Sequence, residues 1–536
     1  MVLPQQQPPR LLILALFGAA IVTPPLRAQE KPLRQVIDAE VRAAWQREKI
    51  VPAGRAGDAA FLRRIYLDLL GTIPSLDETR QFLGNAEPDK REKLIDKLLA
   101  DARFAVQQAN VWDLVLFGRN PPNLDGTRRR ESFKKWLTDK FARNEPYDRW
   151  VRDLLLAEQD GTELFYVQYR NQPADAAVAV SRVFLGMQLQ CARCHDHPFE
   201  SWTQRDFYGM AGFFVRLAVL DKPAAKGMKR FAIGEKSTGE VLFSGAVKEQ
   251  KPGRKGEPVP VKFLGGVALD EPPPPKGFKE PALKPSATPP KPLFSRKEKL
   301  AAWIAAADNP YFARAVVNRV WAQFLGRGLV HPVDDLSEKN APSHPELFQT
   351  MTDRLIAHQF DLKWLMRELV NSATYQLAAE GTAKEALPSR HERARVRPLS
   401  AEELLAAVRT ATGSDAAGLK LGDDVTAYFL RYFGTPTNGR GEFQGGLAEH
   451  LFLNNSSQLR QMIQRRKGNL ADKLLASKEP WERRVEELFL SVLTRPPTDE
   501  ERKKLVAYLS AEGKPESLVE EAIWALLNTA EFRFNH

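Results

Sequence analysis

Cysteine is scarce in this chain, and so are long apolar runs. Only two cysteines occur among 536 residues, and a chain this long can bury enough surface to fold without a disulfide framework. No stretch beyond residue 22 is long and apolar enough to cross a bilayer. No nucleic-acid-binding motif is present either. We therefore predict a globular protein with no membrane span in the mature chain and no nucleic-acid partner.

Acidic residues are outnumbered by basic ones, 67 to 78, which gives a formal net charge of +11. Such a surplus suits acidic partners, including anionic glycans and lipid head groups. The two signs are nevertheless mixed along the chain, and much of the excess lies in a Lys-rich middle. The charge therefore identifies no particular partner, and the sequence leaves the oligomeric state open.

The first 28 residues have the features of an export signal. Arg10 supplies a basic start, residues 11–22 form an apolar run, and Pro24 and Pro25 end that run. The run is too short to span a bilayer comfortably, which is typical of a signal peptide. We predict cleavage after Ala28 and a mature protein outside the cytoplasm, in the periplasm or at the cell surface. An uncleaved lipid-embedded anchor is the alternative.

Most of the remaining chain has the periodicity of amphipathic helices. One apolar stripe lies within residues 62–69 and ends at Gly71, and another runs over 312–324 and ends at Gly326. Helices of this kind pack against one another around shared cores, so we predict a mainly α fold. Three Ser/Thr–Glu pairs have capping-box spacing: Ser75 with Glu78, Ser400 with Glu403, and Thr498 with Glu501.

Two distant segments share one pattern, an apolar helix, a Pro turn and a capped helix. A duplicated helical hairpin and independent use of the same turn chemistry both explain the similarity. The matching positions are Tyr66-Leu67, Leu70, Pro74, Ser75 and Glu78 against Phe489-Leu490, Leu493, Pro497, Thr498 and Glu501, at a constant offset of 423 residues.

The helical pattern fades in the middle of the chain. Short strands are predicted at 229–233, 240–243 and 259–263, and residues 272–292 are a Pro- and Lys-rich extended connector with little core. We predict two helical domains joined by a small β-containing, Pro-rich connector. The predicted boundaries are 1–28 for the signal peptide, 29–216 for the N-terminal helical domain, 217–295 for the strands and connector, and 296–536 for the C-terminal helical domain.

Both cysteines belong to one motif, Cys191-Ala-Arg-Cys194-His195. C-x-x-C-H is the attachment signature of c-type haem, in which the two thiols add to the vinyl groups and the histidine ligates the iron. Such attachment takes place outside the bacterial cytoplasm, which agrees with the export signal. We therefore predict haem c at Cys191, Cys194 and His195.

The same residues leave two other interpretations open. Zinc or iron could bind His195 and His197 together with the two thiols, although so short a loop constrains a tetrahedral site. The cysteines could also form a disulfide or stay free, and no βαβ pattern of a thioredoxin-like protein surrounds them.

The sequence does not identify a second axial ligand for the iron. Met187 and Met210 flank the motif, and His331, His344 and His450 lie in the other half of the chain. Six aromatic side chains near the motif suit a haem pocket, a sugar-stacking cleft or a plain core: Phe199, Trp202, Phe207, Tyr208, Phe213 and Phe214.

The second half brings histidines and carboxylates together in two segments. These are His331-Pro-Val-Asp334-Asp335 and Ser343-His344-Pro-Glu346. Such groups can bind a metal or perform acid–base catalysis, but helix caps and turns use the same residue types. The spacing matches no familiar catalytic signature, so the role of His331, Asp334, Asp335 and His344 stays open.

Long stretches of the sequence carry a resemblance to a known family. They are residues 61–75 (FLRRIYLDLLGTIPS), 89–96 (DKREKLID), 184–199 (FLGMQLQCARCHDHPF), 202–209 (WTQRDFYG), 309–321 (NPYFARAVVNRVW), 326–335 (GRGLVHPVDD) and 397–403 (RPLSAEE). These stretches resemble the planctomycete cytochrome-associated family of exported proteins, in which a PSCyt-type domain is followed by a PSD-type partner domain. The resemblance covers nearly the whole mature chain.

The resemblance implies an exported protein whose two domains have no assigned function. Members are often joined to a cytochrome c domain or to lectin-like modules, which suggests a function in redox chemistry or in polysaccharide use. This chain has no obvious added module, and its segment 433–443 lacks the cysteines that the resemblance leads us to expect.

Together, these observations predict an exported c-type haem protein in electron transfer or oxidation, with a redox partner protein or a glycan-derived substrate. One alternative is a non-haem metal-dependent hydrolase that uses Cys/His or His/Asp ligands. The other is a non-catalytic surface or scaffold protein that binds partners through its basic face.

Overall fold

The computed structural model describes residues 30–536 except for 120–129, 225–228, 244–255, 382–384, 386 and most of 416–455. The predicted signal peptide, His450 and the segment 434–443 lie outside the described residues. The chain is mainly α, as predicted. Within the described ranges, no helix is both long and apolar enough to cross a membrane.

The first half of the chain is a succession of short and medium helices. They are α1 (Leu33–Glu48), α2 (Asp58–Leu70), α3 (Leu76–Gly84), α4 (Lys90–Ala100), α5 (Ala102–Phe117), α6 (Glu131–Ala142), α7 (Tyr147–Leu156), α8 (Leu164–Val167), α9 (Pro173–Val180) and α10 (Gln204–Ala211).

The helices of the second half follow the connector. They are α11 (Arg296–Ile304), α12 (Phe312–Leu325), α13 (Pro345–Ala357), α14 (Leu362–Asn371), α15 (Ala401–Thr412), α16 (Ser457–Ile463), α17 (Leu470–Ala476), α18 (Trp481–Val492), α19 (Asp499–Leu509), α20 (Pro515–Leu527) and α21 (Ala530–Arg533).

The helix ends predicted from local sequence signals are confirmed. α2 ends at Gly71 and α12 at Gly326, both in the left-handed region that glycine adopts without strain. The three predicted capping boxes form at the start of α3, α15 and α19. Thr494, which lies 423 residues after Gly71, has a φ of 63° against 69° for Gly71. The two similar segments therefore share a left-handed residue at the equivalent position of the turn as well as a sequence pattern.

Short antiparallel strand pairs complete the fold. β1 (Leu217–Lys222) pairs with β2 (Arg230–Glu235), β3 (Leu242–Phe243) with β4 (Glu257–Pro258), and β5 (Arg397–Pro398) with β6 (Phe534–Asn535). The predicted strand at 259–263 is wrong, because only an isolated bridge at Lys262 forms there. Pro260 has no N–H to donate to a ladder, and Val259 and Val261 instead pack into the core.

Buried side chains divide into two clusters among the described residues. The larger cluster runs from Leu33 to Leu377 and includes Phe243 and Val259 of the middle region. The smaller one gathers residues between Leu399 and Phe532, together with Leu67 and Ile73 of the first half. The larger cluster continues across residues 216 and 296, so the domain boundaries at these residues stay a prediction.

The connector is fixed to both halves at its two ends. Arg216 and Arg296 are buried, and each pairs with Glu240 and Glu271. The Pro-rich stretch 272–292, in contrast, is largely exposed and contains no helix or strand. The ends of the connector thus belong to the core, while its middle lies on the surface.

Helix α2 binds the far end of the chain through buried polar groups. Arg63 donates to the carbonyl oxygen of Phe532 (2.7 Å), and Arg64 donates to that of His536 (3.3 Å). Asp68 accepts hydrogen bonds from Tyr375, Arg397 and Asn535 at 2.8–2.9 Å. These contacts hold α2, β5 and β6 together.

Candidate functional site

The C-x-x-C-H motif lies on a tight turn between two helical segments. A π-helical stretch (Ser181–Leu185) ends at Gly186, and a 3-10 turn (Gln190–Arg193) follows. Ala192 and the backbone carbonyl of Arg193, between the two cysteines, face the protein. Ala192 is fully buried, and the carbonyl oxygen of Arg193 accepts hydrogen bonds from the Tyr208 hydroxyl (3.0 Å) and from Gln204 (3.3 Å). The turn is therefore anchored by its intervening residues.

The three reactive groups of the motif point the other way. Cys191, Cys194 and His195 are all exposed, and the two thiols are free. The imidazole Nδ1 of His195 lies 2.7 Å from the carbonyl oxygen of Asp196. A neutral imidazole in this position carries its proton on Nδ1, which leaves the lone pair of Nε2 available. Iron- and zinc-ligating histidines are commonly oriented by such a bond to a backbone carbonyl.

His197 has a structural role next to the motif. Its imidazole Nδ1 accepts hydrogen bonds from the backbone N–H groups of Phe199 (3.3 Å) and Glu200 (3.0 Å). The backbone N–H of His197 donates to the carbonyl of Trp202 (2.8 Å). In the part of the chain that the structure describes, no group of three or more His, Cys, Asp or Glu side chains is arranged to hold a metal ion.

The methionines and most aromatics near the motif belong to the core. Met187 and Met210 are buried members of the larger hydrophobic cluster, so neither is available as a ligand without rearrangement. Phe207, Tyr208, Phe213 and Phe214 are also buried in it, and Trp202 packs against it. Phe199 is the exception, since 67% of its surface is exposed beside His197.

The acids of the second half lie against the motif's segment. The N–H of Leu336 donates to the carbonyl of Gly186 (2.8 Å), and Asp334 pairs with Arg182 at 3.7 Å. Partial burial raises the pKa of Asp335, with Glu200 and Asp334 adding to the rise and His197 opposing it. The fold therefore brings Asp335 near His197, and Asp334 near Arg182, although more than a hundred residues separate them in the sequence.

His344 is placed elsewhere, in a buried pair with His391. The two rings lie 6.0 Å apart between centroids, and Trp321 Nε1 donates to His391 Nε2 at 3.2 Å. His344 Nδ1 lies 3.0 Å from the Ser343 hydroxyl, while Nε2 of His344 and Nδ1 of His391 are buried without a hydrogen-bond partner. Burial lowers the pKa of His344 to about 4 and that of His391 to about 3, and nearby arginines add to both shifts.

Sequence reasoning missed His391 and its arginine neighbours. The signal available was the basic run RHERARVR over 390–397. A run of this kind is typical of a solvated surface, and only the fold shows that its histidine is buried beside His344.

A separate polar cleft of about 610 Å³ lies between α1, α4 and the segment after α14. Its guanidinium groups already have partners, since Arg34 pairs with Glu368 and Arg91 with Asp58. Arg55 donates to Gln376. The cleft does not border the C-x-x-C-H motif, and none of its lining side chains is a buried polar group without a hydrogen-bond partner.

Comparison with known proteins identifies two consecutive domains. The PSCyt2 model, "Protein of unknown function (DUF1549)", matches residues 36–218, and the PSD1 model, "Protein of unknown function (DUF1553)", matches residues 296–429. The chain therefore contains a PSCyt2 domain followed by a PSD1 domain. In this PSCyt2–PSD1 protein the C-x-x-C-H motif lies in PSCyt2, and the His344–His391 pair lies in PSD1. No curated protein and no solved structure matches the chain.

Proposed function

We propose that the protein is an exported c-type haem protein in electron transfer or oxidation, with haem held by Cys191 and Cys194 and ligated by His195. One observation carries the proposal: the turn buries Ala192 between the cysteines and leaves two free thiols and an oriented imidazole exposed. This donor set matches the chemistry of thioether attachment and axial ligation. When bound, the haem supplies one-electron redox chemistry.

The protein's own residues prepare this donor set. Tyr208 and Gln204 hold the carbonyl of Arg193, which fixes the turn, and the carbonyl of Asp196 orients His195. Because both thiols are exposed, an attachment machinery can reach them without unfolding the core. The same exposure makes the site accessible to a redox partner protein, and oxidation of a glycan-derived substrate is the other use of such a site.

The metal alternative has less support from the geometry. His197 already binds two backbone N–H groups through Nδ1, and the described residues contain no cluster of three metal-binding side chains. A tetrahedral site built from Cys191, Cys194, His195 and His197 would need this loop to rearrange.

We expect covalent haem on the protein when it is exported together with a cytochrome c maturation system. The chain should stain for haem on a denaturing gel and show a Soret band, and the double variant Cys191→Ser/Cys194→Ser should lose both because no thioether can form. His195→Ala should remove or shift the Soret band.

Two matched variants serve as controls for this experiment. Phe199→Ala alters an exposed neighbour, and His197→Ala alters the loop without removing a predicted haem donor, so both should keep the haem stain. Absence of covalent haem from the wild-type chain, in cells that mature a reference cytochrome, would refute the proposal. Stoichiometric zinc or iron without porphyrin would favour the hydrolase alternative instead.

A further inference from the structure

A small cavity lies where the first and last parts of the chain meet. It has a volume of about 20 Å³ and is bordered by α2, the C-terminal end of α12, the segments 374–375 and 393–397, and β6. Arg64 and Asp68 of its lining belong to PSCyt2, and Tyr375 belongs to PSD1. The cavity therefore lies at the junction between the two domains.

Two buried polar atoms of this lining have no partner in the protein. Arg64 is 4% exposed and Asn535 is 3% exposed. Within the part of the chain that the structure describes, Nη2 of Arg64 and Oδ1 of Asn535 form no hydrogen bond. A buried donor or acceptor without a partner costs free energy because it has lost its hydration. A ligand that bonds both atoms would remove this cost.

The other bonds of the two side chains determine what each atom offers. Arg64 uses Nη1 and Nε on three backbone carbonyl groups, at 2.8–3.3 Å. Asn535 donates from Nδ2 to Asp68 Oδ1 at 2.8 Å. A flipped amide would place its oxygen against this carboxylate, so the orientation of Asn535 is fixed. Nη2 of Arg64 thus offers an N–H donor, and Oδ1 of Asn535 offers a lone pair.

The charges around the cavity disfavour an ion. A cation would be repelled by Arg64, and an anion has no hydrogen to donate to Asn535 Oδ1. The buried charges are already balanced without an ion. Arg397 binds both Asp68 and Glu403, and Arg64 lies one turn before Asp68 on the same face of α2.

The two remaining arginines of the lining do not require an anion either. Arg393 pairs with Glu392 at 3.0 Å. Arg395 is exposed, so its charge is solvated. The ligand that fits this cavity is therefore neutral, and it both accepts and donates a hydrogen bond.

We propose that the cavity binds one water molecule, which accepts a hydrogen bond from Arg64 Nη2 and donates one to Asn535 Oδ1. A buried water needs about 10–15 Å³ and two to four polar partners. The volume of about 20 Å³ is far below the several hundred Å³, roughly 300 or more, of a site for an organic ligand. The water joins α2 of PSCyt2 to β6, and it does not depend on the haem proposal.

Crystallography of the full chain, at a resolution that shows ordered waters, tests the site directly. We expect one peak at about 2.7–3.2 Å from both Arg64 Nη2 and Asn535 Oδ1. Crystals grown in bromide instead of chloride identify the occupant, because bromide scatters anomalously and water does not. An anomalous peak in the cavity, the absence of any peak, or direct contact between Arg64 and Asn535 would overturn the proposal.

Oxygen-17 relaxation dispersion counts long-lived internal waters in solution. Asn535→Leu keeps a similar volume but removes the acceptor, so the variant should hold one such water fewer than the wild type. Asn528→Leu is the matched control, since the Asn528 amide binds the carbonyl of Trp524 at 2.8 Å and does not line the cavity. This control should keep the wild-type number.

Asn535→Gln is a second variant, in case Asn535→Leu does not fold. Its side chain is longer by one methylene group, which fills the cavity, so it should also hold one long-lived water fewer. Far-ultraviolet circular dichroism shows which variants are folded. An unchanged number of long-lived waters in the folded Asn535 variants, or an equal loss in Asn528→Leu, would contradict the proposal.

Discussion

Asp113→Ala is expected to destabilise the protein by about 3–5 kcal/mol, because it leaves a buried guanidinium without its counter-charge. Arg130 is fully buried and forms two parallel hydrogen bonds to Asp113, both of 2.8 Å. Lys134 lies only 3.7 Å from the same carboxylate. Loss of Asp113 would therefore leave two positive groups near each other at the start of α6, one of them with no access to water.

Urea-induced unfolding, followed by far-ultraviolet circular dichroism, measures this effect. Glu87→Ala removes an exposed partner of Lys93 and should leave the free energy of unfolding nearly unchanged. Asp113→Leu/Arg130→Met should recover most of the lost stability, since it removes both charges. If Asp113→Ala cost no more than Glu87→Ala, the paired charges would not be buried as described.

The His344–His391 pair should make the protein sensitive to acid between pH 7 and pH 5. Burial lowers the pKa of these groups to about 4 and about 3 in the folded protein, against about 6.5 in the unfolded chain. Above pH 6.5 both states are neutral and the pair has no effect. As the pH falls below 6.5, the two histidines become protonated in the unfolded chain but stay neutral in the folded protein. The free energy of unfolding therefore drops, by about 2–4 kcal/mol at pH 5.

Comparison of variants isolates this contribution from the rest of the pH dependence. Glu163 acts in the opposite sense, because burial raises its pKa to about 7 and the folded protein therefore gains stability as the pH falls. The difference in the free energy of unfolding between pH 7 and pH 5 should shrink in His344→Asn/His391→Asn and grow in Glu163→Gln.

The exposed His358 provides the control for the histidine pair. His358→Gln should leave the pH dependence unchanged. A histidine double variant whose unfolding free energy kept the wild-type pH dependence would show that the pair is not buried in its neutral form.

Local signals in the sequence were enough to predict much of the fold. Periodicity located α2 and α12, glycines marked their C-terminal ends, and capping boxes marked the starts of α3, α15 and α19. These signals act over a few residues, so no tertiary information was needed. The strand at 259–263 was wrong for the complementary reason. Its residues have the composition of a strand, but their partners are core side chains brought close only by the fold.

The candidate sites also include one feature that the sequence revealed and others that only the fold creates. The C-x-x-C-H spacing lies within five residues and was visible in the sequence. The proximity of Asp335 to His197 and the His344–His391 pair arise from contacts between distant segments, which a single sequence does not reveal.

The bond from Arg63 to the carbonyl of Phe532 joins residues 469 positions apart. At about 5–20 residues per second, a ribosome needs on the order of 25–90 s to make the second partner after the first. Throughout that time Arg63 lacks the backbone carbonyls that it binds in the folded protein, and Leu67 lacks the side chains that cover it. The packing around α2 is therefore completed only after synthesis has passed residue 532.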